Sequence, residues 1–229
     1  GSGACYACPV ACKRKVAVKD GPFATPSGPG PEYETVASFG LLCMNNDLAA
    51  VARANELCNR LGMDTISCGS TIAFAIEATE RGLLRSDLTW GDAAAMLNMI
   101  ECVGLRQGLG DLLAEGVRRV AQQLGLPADV DWAPHVKGLE IPMHDPRAFH
   151  GMAVGYATTP RGANHNGANI YIEMGSAVYP EIGLDVVRDN VATVLQHPAL
   201  FNDTVRMNLT LGRPVDDDAL WRALAVAQL

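Results

Sequence analysis

The sequence predicts a mostly α, multihelical fold, with two helical bundles connected by long site-forming loops. Apolar residues recur at helical spacing from about residue 46 to 124, and again over 185–196 and 216–229. Glycines stand where several of the early helices would end. Between the two helical regions, residues 136–182 are rich in Gly, Pro, His and Asn, and such a long stretch without regular structure is typical of a functional loop region.

The first helical region is expected to contain four helices, each with a polar residue that can cap its N-terminus. The predicted caps and stops are Asn46 or Asp47 with Gly62, Ser70 with Gly82, Asp92 alone, and Asp111 with Gly125. Before these helices, Val16–Val18 fits a short strand. The segment 21–31 holds four Pro and three Gly, which predicts extended and irregular backbone.

Composition excludes several classes of protein. The chain has 229 residues, of which 48% are hydrophobic, and this is enough to bury a core. A net charge of -7, with one short basic run at 13–15, argues against nucleic-acid binding. No apolar run reaches the roughly 18 residues of a membrane span. The sequence shows no secretion signal, and its scattered single cysteines suit a reducing compartment, so a cytoplasmic location is predicted.

Three of the seven cysteines, Cys5, Cys8 and Cys12, form a C-x2-C-x3-C cluster. Thiolates this close can converge on one soft metal centre, and a fourth ligand from elsewhere would complete a [4Fe–4S] site. A zinc site, or two buried cysteines with a bystander, are the alternatives. Lys13 and Arg14 either offset the negative charge of a cluster or form a solvated turn. The other cysteines are interpreted as buried apolar side chains: Cys43, Cys58, Cys68 and Cys102.

Six segments form an ordered set of motifs. They are ACYACPVAC at 4–12, GPEYET at 30–35, CNRLGMDTIS at 58–67, GLGDLLAEG at 108–116, KGLEIPMHDPR at 137–147 and GYATTPRGANH at 155–165. An ordered set over 4–165 is far more specific than any one motif. On these segments the chain resembles the aldehyde:ferredoxin oxidoreductases.

The resemblance implies a particular chemistry. Members of that family hold tungsten or molybdenum on two pterin dithiolenes beside a [4Fe–4S] cluster. They oxidise aldehydes to carboxylic acids and pass the electrons to ferredoxin, and some relatives reduce an aromatic thioester. The expected cofactors are therefore the cluster and a tungsten or molybdenum bis-pterin, and the expected partners are ferredoxin and a small-molecule aldehyde. Three other interpretations stay open: a non-catalytic iron–sulfur electron-transfer module, a cofactor-free remnant, and an enzyme that reduces an aromatic thioester.

The matched motifs nominate three catalytic residues. Glu34 and His165 are candidate proton acceptors, because aldehyde oxidation by water releases protons. Tyr33 is a candidate hydrogen-bond donor to a metal-bound or substrate oxygen. The simpler interpretations are a carboxylate at the positive end of a helix for Glu34, a solvated loop histidine for His165 and a packing aromatic for Tyr33.

Four further residues are carried over as cofactor ligands. Asp64 and Asp203 match pterin-contacting aspartates, since a carboxylate accepts paired N–H donors, although each also suits a helix terminus. Gly162 would let the backbone approach the cofactor while Arg161 binds its phosphate, and a plain surface turn is the alternative. The family's fourth cluster cysteine follows the second aspartate, and Asn208 stands at that position.

The resemblance also predicts the domain organisation. Residues 1–135 would form a cluster-binding helical domain, and residues 136–229 a second helical domain that carries the active-site loop and is incomplete at its C-terminus. The family's largely β N-terminal domain, which wraps the pterins, would precede Cys5 and is treated as a missing partner. The chain alone is therefore expected to be inactive, and its open pterin face predicts self-association, with a homodimer as one form.

Overall fold

The structure is a computed structural model, and its helices confirm the predicted mostly α class. It describes residues 1–4, 6, 7, 9, 11–128, 130–147, 150–167, 206 and 214–226. These residues belong to two compact units, Gly1–Asn190 and Val191–Leu229, each of which is described by itself. In the described part of the chain, no helix is both long enough and apolar enough to cross a membrane.

The first unit combines seven described helices with two small sheets. The helices are α1 (Tyr33–Val36), which continues into a π-helical segment (Ala37–Leu42), α2 (Leu48–Leu61), α3 (Thr65–Glu80), α4 (Ala93–Leu105), α5 (Leu109–Leu113), α6 (Val117–Gln123) and α7 (His150–Thr158). A 3-10 turn follows at His165–Gly167. The strands are β1 (Ser2–Gly3), β2 (Lys13–Val18), β3 (Thr25–Pro29), β4 (His135–Val136) and β5 (Leu139–Glu140).

Two helices begin where the sequence predicts. The Asp47 carboxylate accepts hydrogen bonds from the backbone N–H groups of Ala49 and Ala50, and α2 ends at Gly62 in the left-handed conformation. The Asp92 side chain accepts from the N–H of Ala95 at the start of α4. These contacts satisfy N–H groups that have no partner within the helix, so the caps fix both starting points.

The predicted starts of two other helices are wrong. Helix α3 begins at Thr65 rather than at Ser70, because Asp64 caps it through the N–H of Ser67 at 2.8 Å. The helix expected from Asp111 to Gly125 is two short helices, α5 and α6. The chain between them passes through Gly116 at φ +81°, ψ +163°, a conformation outside any helix.

Helix α7 was not predicted, since residues 136–182 carry few helical signals. Its sequence, HGMAVGYAT, contains two glycines that lower helix propensity. Met152 and Tyr156 are nevertheless four residues apart and both buried, so they share one face of the helix and pack with Ala163. Burial of this face outweighs the weak local preference.

The two sheets are antiparallel. The first has the order β1-β2-β3, with Gly3 opposite Lys13 and Val16 opposite Gly28, which confirms the strand predicted at 16–18. The second is the hairpin β4-β5, in which Lys137 and Gly138 both have positive φ, as a two-residue type I′ turn requires.

The core of the first unit lies among α2, α3, α4 and α6, and α1 packs against the edge of this core. The largest fully buried side chains there include Leu57, Ile72, Ile76, Ile100 and Val120. At the edge, the hydroxyl groups of Thr35 and Thr65 are 2.8 Å apart, and the Ser38 hydroxyl donates to the Thr65 carbonyl. A Cβ at Gly69 would lie 1.9 Å from that hydroxyl oxygen, so only glycine lets α3 approach this closely.

The described part of the second unit consists of residues 206 and 214–226. It includes α8 (Asp217–Val226), which confirms the helical periodicity predicted after residue 216. The Asp216 side chain accepts a hydrogen bond from the N–H of Ala219 at the start of this helix. Arg206 forms an ion pair with Asp217 and donates to the carbonyl of Val215. The predicted helix at 185–196 lies outside the described residues.

Candidate active site

The predicted catalytic carboxylate lies in α1 and faces inward. Glu34 is 8% exposed, whereas Tyr33 beside it is 59% exposed. The extended backbone of Glu32 begins the helix without a side-chain cap. Because the contacts of Thr35 and Ser38 hold this segment on α3, the Glu34 side chain is held close to the N-terminus of α3, where Asp64 lies.

Both carboxylate oxygens of Glu34 accept hydrogen bonds from a segment more than one hundred residues later. Oε2 accepts from the backbone N–H of Met143 at 2.7 Å. Oε1 is paired with Nδ1 of His144. A buried carboxylate loses hydration, and these two donors replace the hydrogen bonds that water would otherwise make to its oxygens.

Three aromatic rings surround this carboxylate. The ring centroids of Tyr33 and His144 are 5.0 Å apart with an interplanar angle of 60°, which is an edge-to-face contact. The rings of His144 and His165 are stacked, with centroids 5.2 Å apart and planes 9° from parallel. The Tyr33 hydroxyl donates to the Met143 carbonyl at 3.2 Å. All three residues predicted to be catalytic are thus brought together around His144.

The environment of His165 favours its neutral form. Burial lowers the pKa of His165 below its ordinary value, because a partly buried imidazolium loses solvation. The negative charges of Glu34 and Asp64 act in the opposite direction, and the neighbouring His144 lowers the pKa further. A neutral imidazole has a free lone pair, so His165 can accept a proton at neutral pH.

An open polar cleft of about 400 Å³ lies beside these residues. Its lining includes Lys13, Arg14, Glu32, Glu34, Asn55, Asn59, Asp64, Thr65 and His165. Carboxylates and amide oxygens suit the N–H edge of a pterin, and the two cations suit a phosphate. The volume is within the range of small-molecule sites. The residues present therefore fit one side of a pterin cofactor.

Asp64 caps a helix and also lines the cleft. Its Oδ2 caps α3 through the N–H of Ser67, which agrees with the simpler interpretation of this residue. It also lines the cleft beside Glu34 and His165. The capping bond uses one carboxylate oxygen, so the other oxygen has capacity for a ligand.

Gly162 is required by packing within the chain. Its φ is +101°, and a Cβ at this position would lie 2.3 Å from the carbonyl oxygen of Val136 in β4. The close approach that glycine permits is therefore to the hairpin β4-β5. Arg161 is exposed beside it.

Four cysteines lie outside the predicted cluster loop. Cys43, Cys58 and Cys68 are buried and Cys102 is half-buried, in keeping with the interpretation as apolar side chains. Burial raises the pKa of the Cys43 thiol to about 12, and a hydrogen bond with Cys58 together with burial raises the pKa of Cys68 well above its ordinary value. The thiols of Cys43 and Cys68 therefore stay protonated at neutral pH, which makes them poor metal ligands.

The predicted cluster loop is described only in part. Cys12 is exposed, whereas Cys5 and Cys8 lie outside the described residues, as do Asp203 and Asn208. Among the described residues, no group of three or more His, Cys, Asp or Glu side chains is arranged to hold a metal ion. The iron–sulfur assignment of the cysteine loop stays a prediction.

Sequence reasoning missed His144, the residue that joins the predicted catalytic side chains. It occupies one of two positions in KGLEIPMHDPR that the family motif leaves unspecified. One feature of the sequence could have indicated it. A histidine side chain can exchange protons near neutral pH, and this histidine lies inside a motif that otherwise matches the family.

Comparison with known proteins identifies the family. Residues 1–208 match the family described as aldehyde ferredoxin oxidoreductase, domains 2 and 3. Tungsten-containing aldehyde ferredoxin oxidoreductases of Pyrococcus furiosus and Thermococcus kodakarensis are each 40% identical to the chain over 168 residues, which is 70% of this chain and 27% of each relative. The chain thus spans about a quarter of the length of the curated relatives it matches.

A solved structure is also similar. The active-site complex BamBC of benzoyl-coenzyme A reductase, in complex with 1,5-dienoyl-CoA, matches with a TM-score of 0.53 and 25% identity, over 62% of this chain and 21% of that chain. Its likeness agrees with the sequence match, which extends over most of the chain. The chain belongs to the aldehyde ferredoxin oxidoreductase family, within the part described as domains 2 and 3.

Proposed function

We propose that the chain contributes the proton-handling part of an active site that oxidises aldehydes to carboxylic acids. The electrons would leave through a [4Fe–4S] cluster held by Cys5, Cys8 and Cys12 to ferredoxin. The observation that carries the proposal is the meeting of Glu34 and His165 at one polar cleft, in a chain 40% identical to tungsten-containing aldehyde ferredoxin oxidoreductases.

Aldehyde oxidation adds one water oxygen to the carbonyl carbon and releases two electrons and two protons. A tungsten or molybdenum bis-pterin, when bound, supplies the two-electron acceptor. The protein must then take up protons close to the substrate and deliver them to solvent. His165, whose environment favours the neutral form, and the Glu34 carboxylate that lines the same cleft are suited to accept them.

Tyr33 is proposed to orient the substrate oxygen. Its hydroxyl donates to the Met143 carbonyl at 3.2 Å, at the long end of hydrogen-bond distances, and its side chain is largely exposed. Rotation of the hydroxyl would let it donate to an aldehyde oxygen, where it would stabilise negative charge as water adds.

The cofactor would be held by polar side chains of the cleft and of the later loop. Asp64 is proposed to accept N–H groups of a pterin through the carboxylate oxygen that does not cap α3. Asp203 is proposed as its counterpart, and Arg161 as a phosphate ligand. For Gly162 we propose a supporting role, because its contact with Val136 fixes the loop that carries Arg161 and His165.

The test is metal analysis and turnover of the holoenzyme purified without oxygen. We expect iron and sulfide together with tungsten or molybdenum, and aldehyde-dependent reduction of ferredoxin or of a viologen dye. Iron without either heavy metal and without turnover would instead indicate an electron-transfer module. The absence of all these metals would indicate a cofactor-free protein, and either outcome would reject the proposal.

A second candidate function is reduction of an aromatic thioester. It is favoured by the likeness to the benzoyl-coenzyme A reductase complex, although that likeness is at 25% identity. The same holoenzyme should be offered benzoyl-CoA with a low-potential reductant, in parallel with aldehydes. Turnover of the thioester and not of aldehydes would favour this candidate.

A further inference from the structure

His144 connects the two candidate proton acceptors of the cleft. The cleft lining includes Glu34 and His165 but not His144. Its Nδ1 is hydrogen-bonded to Oε1 of Glu34, and its ring stacks on His165 with centroids 5.2 Å apart. His144 therefore contacts both side chains from outside the cleft wall, and no motif of the family resemblance assigns it a role.

The hydrogen bond to Glu34 fixes the tautomer of His144. A carboxylate oxygen only accepts, so Nδ1 must carry the proton and Nε2 keeps its lone pair or binds a second proton. The same bond restrains Glu34. With the N–H of Met143 on Oε2 at 2.7 Å and His144 on Oε1, both oxygens are held and the side chain has one orientation.

His144 also affects the protonation of His165. Burial is the largest cause that lowers the pKa of His165, and the positive charge that His144 can carry lowers it further. The two rings are nearly parallel, so a rotation of the His165 ring about its Cβ–Cγ bond would break the stack. Stacking and charge together favour a neutral and oriented His165.

We propose that His144 is a positioning residue that couples Glu34 and His165 into one proton-accepting pair, holding the first by a hydrogen bond and the second by stacking. This inference rests on the proposed function. The proposal requires that the hydrogen bond to Glu34 and the stacking on His165 each affect proton transfer. A residue that only packs against its neighbours would not have this effect.

Other titratable groups lie next to His144 or act on its neighbours His165 and Tyr156, and they must be separated from its effect. They are Glu34 and Tyr33 in α1, Asp64 before α3, Asp145 next in sequence, Tyr156 in α7 and His165. A salt bridge with Arg147 holds the pKa of Asp145 at about 2, and burial raises the pKa of Tyr156 above its ordinary value. Neither Asp145 nor Tyr156 changes charge near neutral pH. A change in the titration or in kcat near neutral pH is therefore assigned to the imidazoles.

Three substitutions separate the two contacts. His144→Asn keeps an N–H donor near the position of Nδ1 but removes the ring. His144→Phe keeps a ring for His165 but leaves Oε1 of Glu34 without its donor. His144→Ala removes both. The first readout is a proton NMR titration of the histidine ring C–H signals, which needs no turnover, since the chain has five histidines and His165→Asn identifies one of them.

The pKa of His165 should rise in all three variants, because each removes the imidazole whose electrostatic effect lowers that pKa. In the holoenzyme, His144→Ala should lower kcat about 10- to 100-fold, as is usual for residues that orient a catalytic group, with KM near the wild-type value. His144→Asn should recover more of kcat than His144→Phe. The acid limb of the kcat profile should move to higher pH in every variant.

An unchanged His165 titration in all three variants would overturn the coupling. Equal kcat in the Asn and Ala variants would overturn the role of the hydrogen bond. If the Ala variant does not fold, the Asn and Phe variants still decide both points. If the wild-type holoenzyme does not oxidise aldehydes, the proposed function fails, while the NMR titration still tests whether His144 controls His165.

Discussion

The carboxylate of Glu34 accepts a hydrogen bond from the backbone N–H of Met143, which follows it by 109 residues, at a distance of 2.7 Å. The bond joins α1 to the segment that links the hairpin β4-β5 to α7. Because the donor is a backbone group, its position depends on the path of the chain and not on a rotamer. The candidate site is therefore held together by charge-assisted bonds between distant parts of the sequence.

Replacement of Gly162 by alanine should strongly destabilise the protein. A positive φ costs a non-glycine residue about 1–2 kcal/mol. The added Cβ would also lie 2.3 Å from the Val136 carbonyl oxygen. We expect a total loss of at least about 3 kcal/mol in the free energy of unfolding, measured by urea denaturation followed by circular dichroism.

Gly21 supplies the matched control for this substitution. It has a similar φ of +95°, but an added Cβ would have no atom within 4 Å. Gly21→Ala should cost only the backbone term of about 1–2 kcal/mol. Equal losses for the two variants would show that the contact with β4 does not constrain Gly162.

The two uses of Asp64 can be separated by two substitutions. Asn caps a helix about as well as Asp, whereas Ala does not, so Asp64→Ala should lose about 1 kcal/mol of stability and Asp64→Asn almost none. If Asp64 also binds a pterin, both variants should retain less cofactor than the wild type. Released pterin can be measured by fluorescence, and full pterin content in Asp64→Asn would exclude a need for the carboxylate.

Replacement of Cys5, Cys8 or Cys12 by serine should abolish iron–sulfur absorbance after reconstitution. Cys102→Ser is the matched control, because Cys102 is half-buried and is not a predicted ligand. It should keep the absorbance. Unchanged spectra in all three loop variants would remove the cluster assignment, and bound zinc in the wild type would point to the alternative metal.

His165 should contribute to the pH dependence of stability. Its pKa is lower in the folded protein than in the unfolded chain, so between the two values the unfolded chain binds more protons. Stability from this residue is complete above the unfolded value near 6.5 and falls as the pH drops toward the folded value. His165→Asn should flatten the decline of Tm between about pH 7 and pH 5. An identical decline in both proteins would contradict this environment for His165.

Local sequence signals predicted the parts of the fold that depend on local contacts. The predicted caps, Asn46 or Asp47 and Asp92, rest on the rule that a short polar side chain at the start of an apolar periodic run satisfies free N–H groups, and Asp47 and Asp92 are the observed caps. These signals did not predict the start of α6, which depends on a distant contact. Glu140 accepts a hydrogen bond from the N–H of Val117 at 2.8 Å, so the start of α6 depends on a residue 23 positions later.

The sequence likewise predicts some residues of the candidate site and not others. The motifs nominated Glu34 and His165, and the structure brings both to one cleft. They did not nominate His144, since no local pattern predicts that its ring will lie between an α1 carboxylate and a later loop imidazole. Such proximity is set by how α1, α3 and the hairpin β4-β5 pack together.

The most direct measurement is aldehyde oxidation by the Glu34→Gln holoenzyme, with its tungsten or molybdenum content determined in the same sample. Gln has the same shape but no negative charge, so kcat should fall about 100-fold or more while metal content and KM stay near wild type. Glu80→Gln is the matched control, because Glu80 is exposed at the end of α3 and does not line the cleft, and it should keep wild-type kcat. Wild-type turnover by Glu34→Gln at full metal content would contradict the assignment of Glu34 as a proton acceptor.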